Sequence, residues 1–262
     1  MRNLRKRVNT SFRHIEYLKT YKMTPIFNES IDTLRQKIKA ACMNNDKFVL
    51  ISLNSWTFDL LLNQRNFPSE LSNPIYTVDS RVLYLVLRVF RPNLDWTHIP
   101  GADVPLEMII QGTGDFRILI VGGTCEANNG TVMRLRASGN FVIGDAREIN
   151  SENLTAIGEQ LSQKVSELEI NLVILCLGQP KQEWLARDLQ NHGVSIPILC
   201  LGAFTDFISG VKRRSPLIIN RLGLEWLWRL VSEPQRLWKR YLYFSLRGLV
   251  AFIIVMRNKL NE

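Results

Sequence analysis

The second half of the chain contains two long apolar runs. Each ends at a glycine, and polar residues follow soon after it. The two runs are "NLVILCLG" at 171–178 and "IPILCLG" at 196–202. Continuous apolar runs of this length are typical of strands covered on both faces, as in parallel sheets. Further runs of the same kind lie at 48–52, 74–78, 117–121 and 140–144. Helices are expected between them, near 55–65, 80–90 and 152–167 and after Gly122-Gly123. This alternation predicts an α/β fold with a parallel sheet and helices on both faces.

The composition is that of a globular protein with a sizeable core. The chain has 262 residues, of which 46% are hydrophobic, and a chain of this length buries most of its apolar surface on folding. Its four cysteines show no C-x-x-C spacing, so we interpret them as reduced thiols of a cytosolic protein. No uncharged apolar run reaches the roughly 20 residues that a membrane-spanning helix needs.

Charge is distributed unevenly along the chain. The net charge is +9; residues 1–22 carry +6 and residues 211–262 carry +8, which leaves −5 for the rest. Basic ends on a mildly acidic body favour an anionic partner, either membrane lipid or nucleic acid. We expect a basic N-terminal extension (1–25), an α/β core (26–209) and a basic C-terminal appendage (210–262).

Polar residues and glycines follow the predicted strands at the ends where parallel α/β sheets bind ligands. They include Ser52, Asn54, Asp79, Gly122, Gly123, Gln179, Gln182 and Asp206. Simpler interpretations remain open, because Ser52, Asn54 and Asp79 also suit helix caps and the glycine pair suits a tight turn. In "GQPKQE" the proline and glutamate fit a helix start. The two glutamines are not needed for that, and an amide that donates and accepts suits a base or sugar.

Several segments together resemble one family of bacterial glycosyltransferases. They are "SLNSW", "TVDSRVL", "HIPGADV", "ILIVGG", "LGQPKQEWLA", "LGAFTDFISGVKRRSP" and "RLGLEWLWRLVSEPQRLWKRYL", in the family's order over residues 48–243. The family is typified by the N-acetylmannosamine transferase of wall teichoic acid synthesis. It also includes the N-acetylmannosaminuronic acid transferase of enterobacterial common antigen and some exopolysaccharide glucosyltransferases.

The resemblance implies inverting transfer of a sugar from a UDP-sugar to a polyprenyl-diphosphate-linked sugar. It also implies a Rossmann-like fold whose helical appendage joins the site at the cytoplasmic face of the inner membrane. By position, Asp79 resembles the catalytic base. The other positions that the resemblance assigns to substrates are Ser52, Asn54, Gln182, Asp206 and Arg214. Two departures stand out: Ser80 replaces the glycine that usually follows the aspartate, and His98 replaces an arginine that would hold an anionic group.

The residues agree with such a reaction. One carboxylate can take the proton of the attacking hydroxyl, and a single displacement inverts the sugar without a covalent intermediate. No D-x-D motif occurs, so we expect no metal and no cofactor, with Arg214 and Arg221 stabilising the leaving UDP. The alternatives are an NAD-dependent Rossmann protein, which would need a G-x-G-x-x-G fingerprint absent here, and a nucleic-acid-binding module, for which no motif is present.

The tail predicts a basic amphipathic helix. After Pro234, residues Arg236, Lys239, Arg240 and Arg247 fall on one face, and Leu237, Trp238, Tyr241, Phe244, Leu249 and Phe252 on the other. The apolar run at 249–256 is too short to span a bilayer, which favours a helix lying in an anionic membrane surface. A helix packed on its own domain or on a second subunit is the alternative, and an oligomer remains open.

Overall fold

The computed structural model describes residues 26–27, 29–62, 67–68, 70–90, 92–111 and 114–258. The side chains of residues 62, 217, 221, 255, 257 and 258 fall outside this description, as does the predicted extension 1–25. Within the described ranges, no helix has the length and apolar character that crossing a membrane requires.

The seven strands found among the described residues are all parallel and form one sheet. They are β1 (Ile26–Phe27), β2 (Val49–Leu53), β3 (Pro74–Val78), β4 (Arg117–Gly122), β5 (Phe141–Asp145), β6 (Leu172–Cys176) and β7 (Ile198–Cys200). Their order across the sheet is β1-β3-β2-β7-β6-β4-β5. The six predicted strands and the parallel α/β fold are confirmed. The two-residue strand β1 was not predicted, because it is too short to produce a pattern.

Twelve α-helices are found in the described part of the chain. They are α1 (Ile31–Asn44), α2 (Ser55–Leu62), α3 (Arg81–Phe90), α4 (Asp103–Gln111), α5 (Cys125–Arg136), α6 (Leu154–Glu167), α7 (Lys181–Asn191), α8 (Phe204–Ser209), α9 (Leu217–Arg221), α10 (Glu225–Ser232), α11 (Pro234–Lys239) and α12 (Leu246–Asn258). A π-helical segment, Arg240–Ser245, joins α11 to α12. The helices predicted near 55–65, 80–90 and 152–167 are confirmed, and α11 begins at Pro234.

Helix α1 was not predicted, although its sequence carries recognisable signals. Ser30 caps its first turn by accepting a hydrogen bond from the Thr33 amide at 3.1 Å. Its buried residues are Leu34, Ile38, Ala41 and Cys42, which recur at helical spacing. The cap and this apolar stripe together explain why the segment is helical and which face it buries.

The helices cover the sheet on both sides. One apolar cluster joins one face of the sheet to α2, α3, α6, α7 and α12. A second cluster joins the other face to α1, α4, α5 and α8. The sheet is therefore the middle of three layers, which is why its central strands read as continuous apolar runs.

The C-terminal appendage, described over 210–258, is fixed to the core mainly through α12. Phe252 is fully buried and its ring meets the ring of Phe58 on α2 at 4.9 Å, edge to face. Gly248 allows the two helices to touch, since a Cβ there would lie 1.9 Å from the Ser55 carbonyl oxygen. The Arg247 guanidinium forms an ion pair with the buried carboxylate of Asp59.

These contacts correspond to the alternative that was left open for the tail, a helix packed on its own domain. Phe252, on the predicted apolar face, lies in the protein core, and Arg247, on the predicted basic face, binds Asp59. Arg236 and Arg240 line an internal cleft. Periodicity identified two faces but could not identify which one packs on the domain.

Candidate functional site

A cleft of about 690 Å³ lies beyond the carboxyl ends of the strands. The predicted residues that line it are Ser52, Asn54, Asp79, His98, Gly122, Gly123, Gln179, Gln182, Asp206 and Arg214. They converge because parallel strands deliver their carboxyl ends to the same edge of the sheet. The connections that leave the neighbouring strands β4 and β6 run in opposite directions across the sheet, to β5 and to β7, so Gly122 at the end of β4 stands at a topological switch point. The side chain of Arg221 is outside the described residues.

Asp79 is held at the end of β3 by contacts that leave its carboxylate in the cleft. Its Oδ1 accepts a hydrogen bond from the Gly101 amide at 2.9 Å. Ser80, not Asp79, caps α3, because the Ser80 Oγ accepts from the Leu83 amide and the Ser80 carbonyl from the Tyr84 amide. The simple interpretation of Asp79 as a helix cap is therefore wrong.

His98 supports the loop that carries Asp79. Its Nε2 lies 3.0 Å from the Asp79 carbonyl oxygen, and it must donate because a carbonyl oxygen only accepts. Burial lowers the pKa of His98 below its usual value, although the hydrogen bond to Asp79 acts in the opposite direction. The ring is therefore neutral at pH 7 and acts as a hydrogen-bond donor, not as a cation.

Asn54 caps α2, and Ser52 lies close against the Asp79 loop. Asn54 Oδ1 accepts from the Thr57 amide at 3.0 Å, so its predicted capping role is confirmed. A Cβ at Gly101 would lie 2.0 Å from the Ser52 Oγ, so a side chain there would have to displace the Ser52 hydroxyl. The two strand ends are thus packed against each other beneath the cleft.

The two glutamines of "GQPKQE" brace neighbouring strand ends. Gln179 accepts from the Thr57 hydroxyl at 3.0 Å and donates to the Ser52 carbonyl at 3.3 Å. Gln182 accepts from the Gly202 amide at 3.0 Å and donates to the Glu183 carboxyl at 2.9 Å. Gln182 is only 1% exposed. Both amides form hydrogen bonds within the protein, and these bonds connect the ends of β2, β6 and β7.

The glycine pair allows β4 to end against α8. Gly122 and Gly123 adopt φ values of +96° and +80°, which side chains rarely adopt. A Cβ at Gly123 would also lie 2.5 Å from the Thr205 Oγ1. Thr124 then caps α5 by accepting from the Ala127 amide at 3.1 Å.

Charged groups of the appendage reach the cleft, and ion pairs tie them to the core. Lys212 lies 2.8 Å from the Asp206 carboxylate and 3.2 Å from that of Glu233. Arg214 pairs with Asp103 at the start of α4. Asp206 and Arg214, both predicted site residues, therefore each have a charged partner in this structure.

Sequence reasoning missed the cleft residues Arg147, Glu225 and Arg229. Arg147 is held by two hydrogen bonds to the Asp145 carboxylate, at 2.9 and 2.8 Å. Burial and the nearby charge of Asp79 raise the pKa of Glu225. Glu225 and Arg229 belong to the tail, whose basic motif was visible in the sequence. Nothing in that motif indicated that these two side chains line the cleft.

Arg240 is a largely enclosed cation of the site. Its Nε is buried and has no hydrogen-bond partner among the described residues. Burial lowers the pKa of Arg240, with only partial compensation from Tyr241 and Asp79. A buried guanidinium with an unused donor is suited to an anionic ligand.

A comparison with known protein families finds a match that includes the whole site. The model of the glycosyl transferase WecG/TagA/CpsF family matches residues 21–262. The match covers both the sheet and the appendage, and hence every residue named above as lining the cleft.

Proposed function

The chain belongs to the WecG/TagA/CpsF family of glycosyltransferases, which act in surface polysaccharide synthesis, and from this premise we propose its reaction. The protein transfers a sugar from a UDP-sugar to a lipid-linked saccharide, inverts the configuration at the sugar, and uses Asp79 as general base. The α/β core, 26–209, carries most of the donor cleft, and the appendage, 210–262, completes it from the other side.

One observation carries the proposal: the position of the Asp79 carboxylate. It lies in a polar cleft of about 690 Å³, within the size range of small-molecule sites. The Gly101 amide holds one of its oxygens, and Ser80 has taken over the capping of α3. A carboxylate that is fixed in place but not needed by the helix is suited to receive a proton from substrate.

The proposed step is a single displacement. The acceptor hydroxyl oxygen attacks the anomeric carbon of the donor as its proton passes to Asp79. The bond from that carbon to the diphosphate oxygen breaks, and UDP leaves with the electron pair. One base is sufficient, because no glycosyl-enzyme intermediate forms, in contrast to retaining hydrolases, which use two carboxylates.

The leaving diphosphate needs positive charge, and the appendage supplies it. Arg214, Arg229, Arg236 and Arg240 all line the cleft. Guanidinium groups bind phosphate oxygens through paired hydrogen bonds and stabilise charge that develops in the transition state. On this basis the reaction needs no metal ion, and Gly122 and Gly123 give the donor phosphates close access to the backbone.

We further propose that the protein docks on the cytoplasmic face of the inner membrane. Most of the exposed large apolar side chains in the described ranges belong to the appendage. They include Ile218, Leu222, Trp228, Val231, Trp238, Leu242 and Val250. An exposed apolar surface of this kind beside many basic residues suits an anionic lipid surface.

The decisive experiment is Asp79→Asn with a panel of UDP-sugars and lipid-linked acceptors, analysed by mass spectrometry. Asparagine keeps an oxygen for the Gly101 amide but cannot take a proton. We expect kcat to fall by roughly 10²–10⁴-fold, the usual scale for a general base, while UDP still raises the melting temperature. Asp95→Asn, at an exposed loop position, is the control and should keep full activity.

Two results would count against the proposal in different ways. Full turnover by Asp79→Asn would remove Asp79 from the base role while leaving the transferase assignment intact. A wild-type protein that neither binds UDP nor transfers any sugar of the panel would refute the UDP-sugar reaction itself.

A further inference from the structure

A second, smaller pocket lies beside Asp79, between the start of α3 and the appendage. Its volume is about 240 Å³. The apolar side chains that line it are Val82, Trp226, Leu242, Leu246 and Leu249. It is thus more apolar than the cleft, and residues of the appendage form most of its wall.

The pocket and the cleft meet at the proposed base. Asp79, Asn54 and His98 line both of them, as do Glu225 and Arg240. A molecule in the small pocket would therefore approach Asp79 from one side while a donor in the cleft approached from the other. That is the arrangement a displacement between two substrates requires.

The polar end of the pocket carries positive charge. Arg81, Arg229 and Arg240 are among its lining residues, and the buried Nε of Arg240 has no partner in the described part of the chain. Phosphate is the anion that several guanidinium groups around a small space bind best.

The other end of the pocket opens onto the exposed apolar side of the appendage. Leu242 and Leu246 line the pocket and are nevertheless 53% and 52% exposed. Val250, one turn further along α12, is 56% exposed and does not line it. An apolar chain could therefore leave the pocket past Leu242 and Leu246, whereas 240 Å³ holds only its first part.

We propose that this pocket is the acceptor subsite, and that it takes the junction between the sugar phosphate and the apolar chain of a lipid-linked saccharide. The inference rests on the proposed function and adds the location of the acceptor to it. The sugar hydroxyl faces Asp79, the phosphate faces Arg240 and Arg229, and the first segment of the chain packs on Leu242, Leu246 and Leu249.

The test compares Leu246→Asp with Val250→Asp. Both positions lie on α12 and are about equally exposed, so both variants should fold, and both remove one apolar side chain from the outer surface. Only Leu246→Asp places a carboxylate at the pocket, at the position where the apolar chain would pack. Transfer is measured in mixed micelles with a lipid-linked acceptor and with a matched water-soluble acceptor that has no apolar chain.

We expect Leu246→Asp to raise KM for the lipid-linked acceptor by roughly tenfold or more relative to Val250→Asp, with an unchanged KM for the UDP-sugar. The loss by Leu246→Asp should be much smaller on the chainless acceptor, because only the lipid-linked acceptor has a chain that packs on Leu246. Equal KM values for the two variants on the lipid-linked acceptor would overturn the inference, as would an equal loss by Leu246→Asp on both acceptors. A wild-type protein that transfers to neither acceptor would overturn the proposed function as well.

Discussion

Replacing the buried carboxyl of Glu183 should remove a large part of the pH dependence of stability. Glu183 is fully buried in the first turn of α7, where its Oε1 accepts from Gln182 and its Oε2 has no partner among the described residues. Burial raises the pKa of Glu183 from 4.5 to about 7, although hydrogen bonds from Gln182 and Gln179 partly oppose the shift. The folded protein therefore favours the protonated form.

The sign and size of the effect follow from this difference. Because the folded pKa lies above the unfolded one, the folded state binds more protons between pH 4.5 and 7, and stability falls as pH rises through that window. The difference between the two pKa values lowers the free energy of unfolding by about 3 kcal/mol when the pH is well above both. Between pH 5 and pH 8 the decrease is about 2 kcal/mol. Glu183→Gln keeps an oxygen for Gln182 but has no proton to lose.

Denaturant unfolding of the wild type and Glu183→Gln at pH 5 and pH 8 measures this effect. The free energy of unfolding of the variant, relative to wild type, should be about 2 kcal/mol higher at pH 8 than at pH 5. Any constant offset from the new amide cancels in that comparison. Glu126→Gln, at an exposed position in the first turn of α5, should show the wild-type pH dependence. A Glu183→Gln variant with the same pH dependence as wild type would show that Glu183 does not titrate in this range.

Three further predictions concern the appendage and the metal. Gly248→Ala should destabilise the fold by about 1–3 kcal/mol in denaturant unfolding, since its Cβ would meet the Ser55 carbonyl; unchanged stability would mean that α12 and α2 separate easily. The double variant Ile218→Asp, Val231→Asp, at two strongly exposed positions, should reduce flotation with anionic liposomes while UDP binding persists, and undiminished flotation would refute the docking surface. Transfer should survive EDTA, and loss of activity with rescue by Mn²⁺ or Mg²⁺ would contradict metal independence.

The sequence predicted the sheet well because each central strand is covered on both faces and must be apolar throughout. The ligand edge followed from the same reasoning, since parallel strands place their carboxyl ends together. Asp79 was a correct member of the cleft for this reason, although the sequence left open whether it only caps α3. That choice depends on which oxygen reaches the first-turn amides, and only the fold determines it.

The partners of polar side chains were not predictable in this way. Gln182 was expected to contact substrate, yet its side-chain oxygen accepts from the Gly202 amide, which is close to it only because β6 and β7 are neighbours. Arg147 was overlooked although its partner Asp145 is only two residues away, because nothing in the sequence indicated that its side chain lines the cleft. Which side chains face the cleft depends on the order of the strands in the sheet, and local pattern carries no information about that order.

By itself the sequence determined the strands, the parallel sheet, the edge where ligands bind and the amphipathic character of the tail. The tertiary structure decided how that tail is turned: Phe252 packs on the core and Arg247 binds Asp59, while Arg240 lines the cleft beside Asp79. The physical reason is that helical periodicity separates an apolar from a basic face but is the same whether the apolar face meets lipid or protein. The choice is made by the free energy of burying Phe252 against Phe58 and of pairing the buried Asp59, which arises only when the two helices meet.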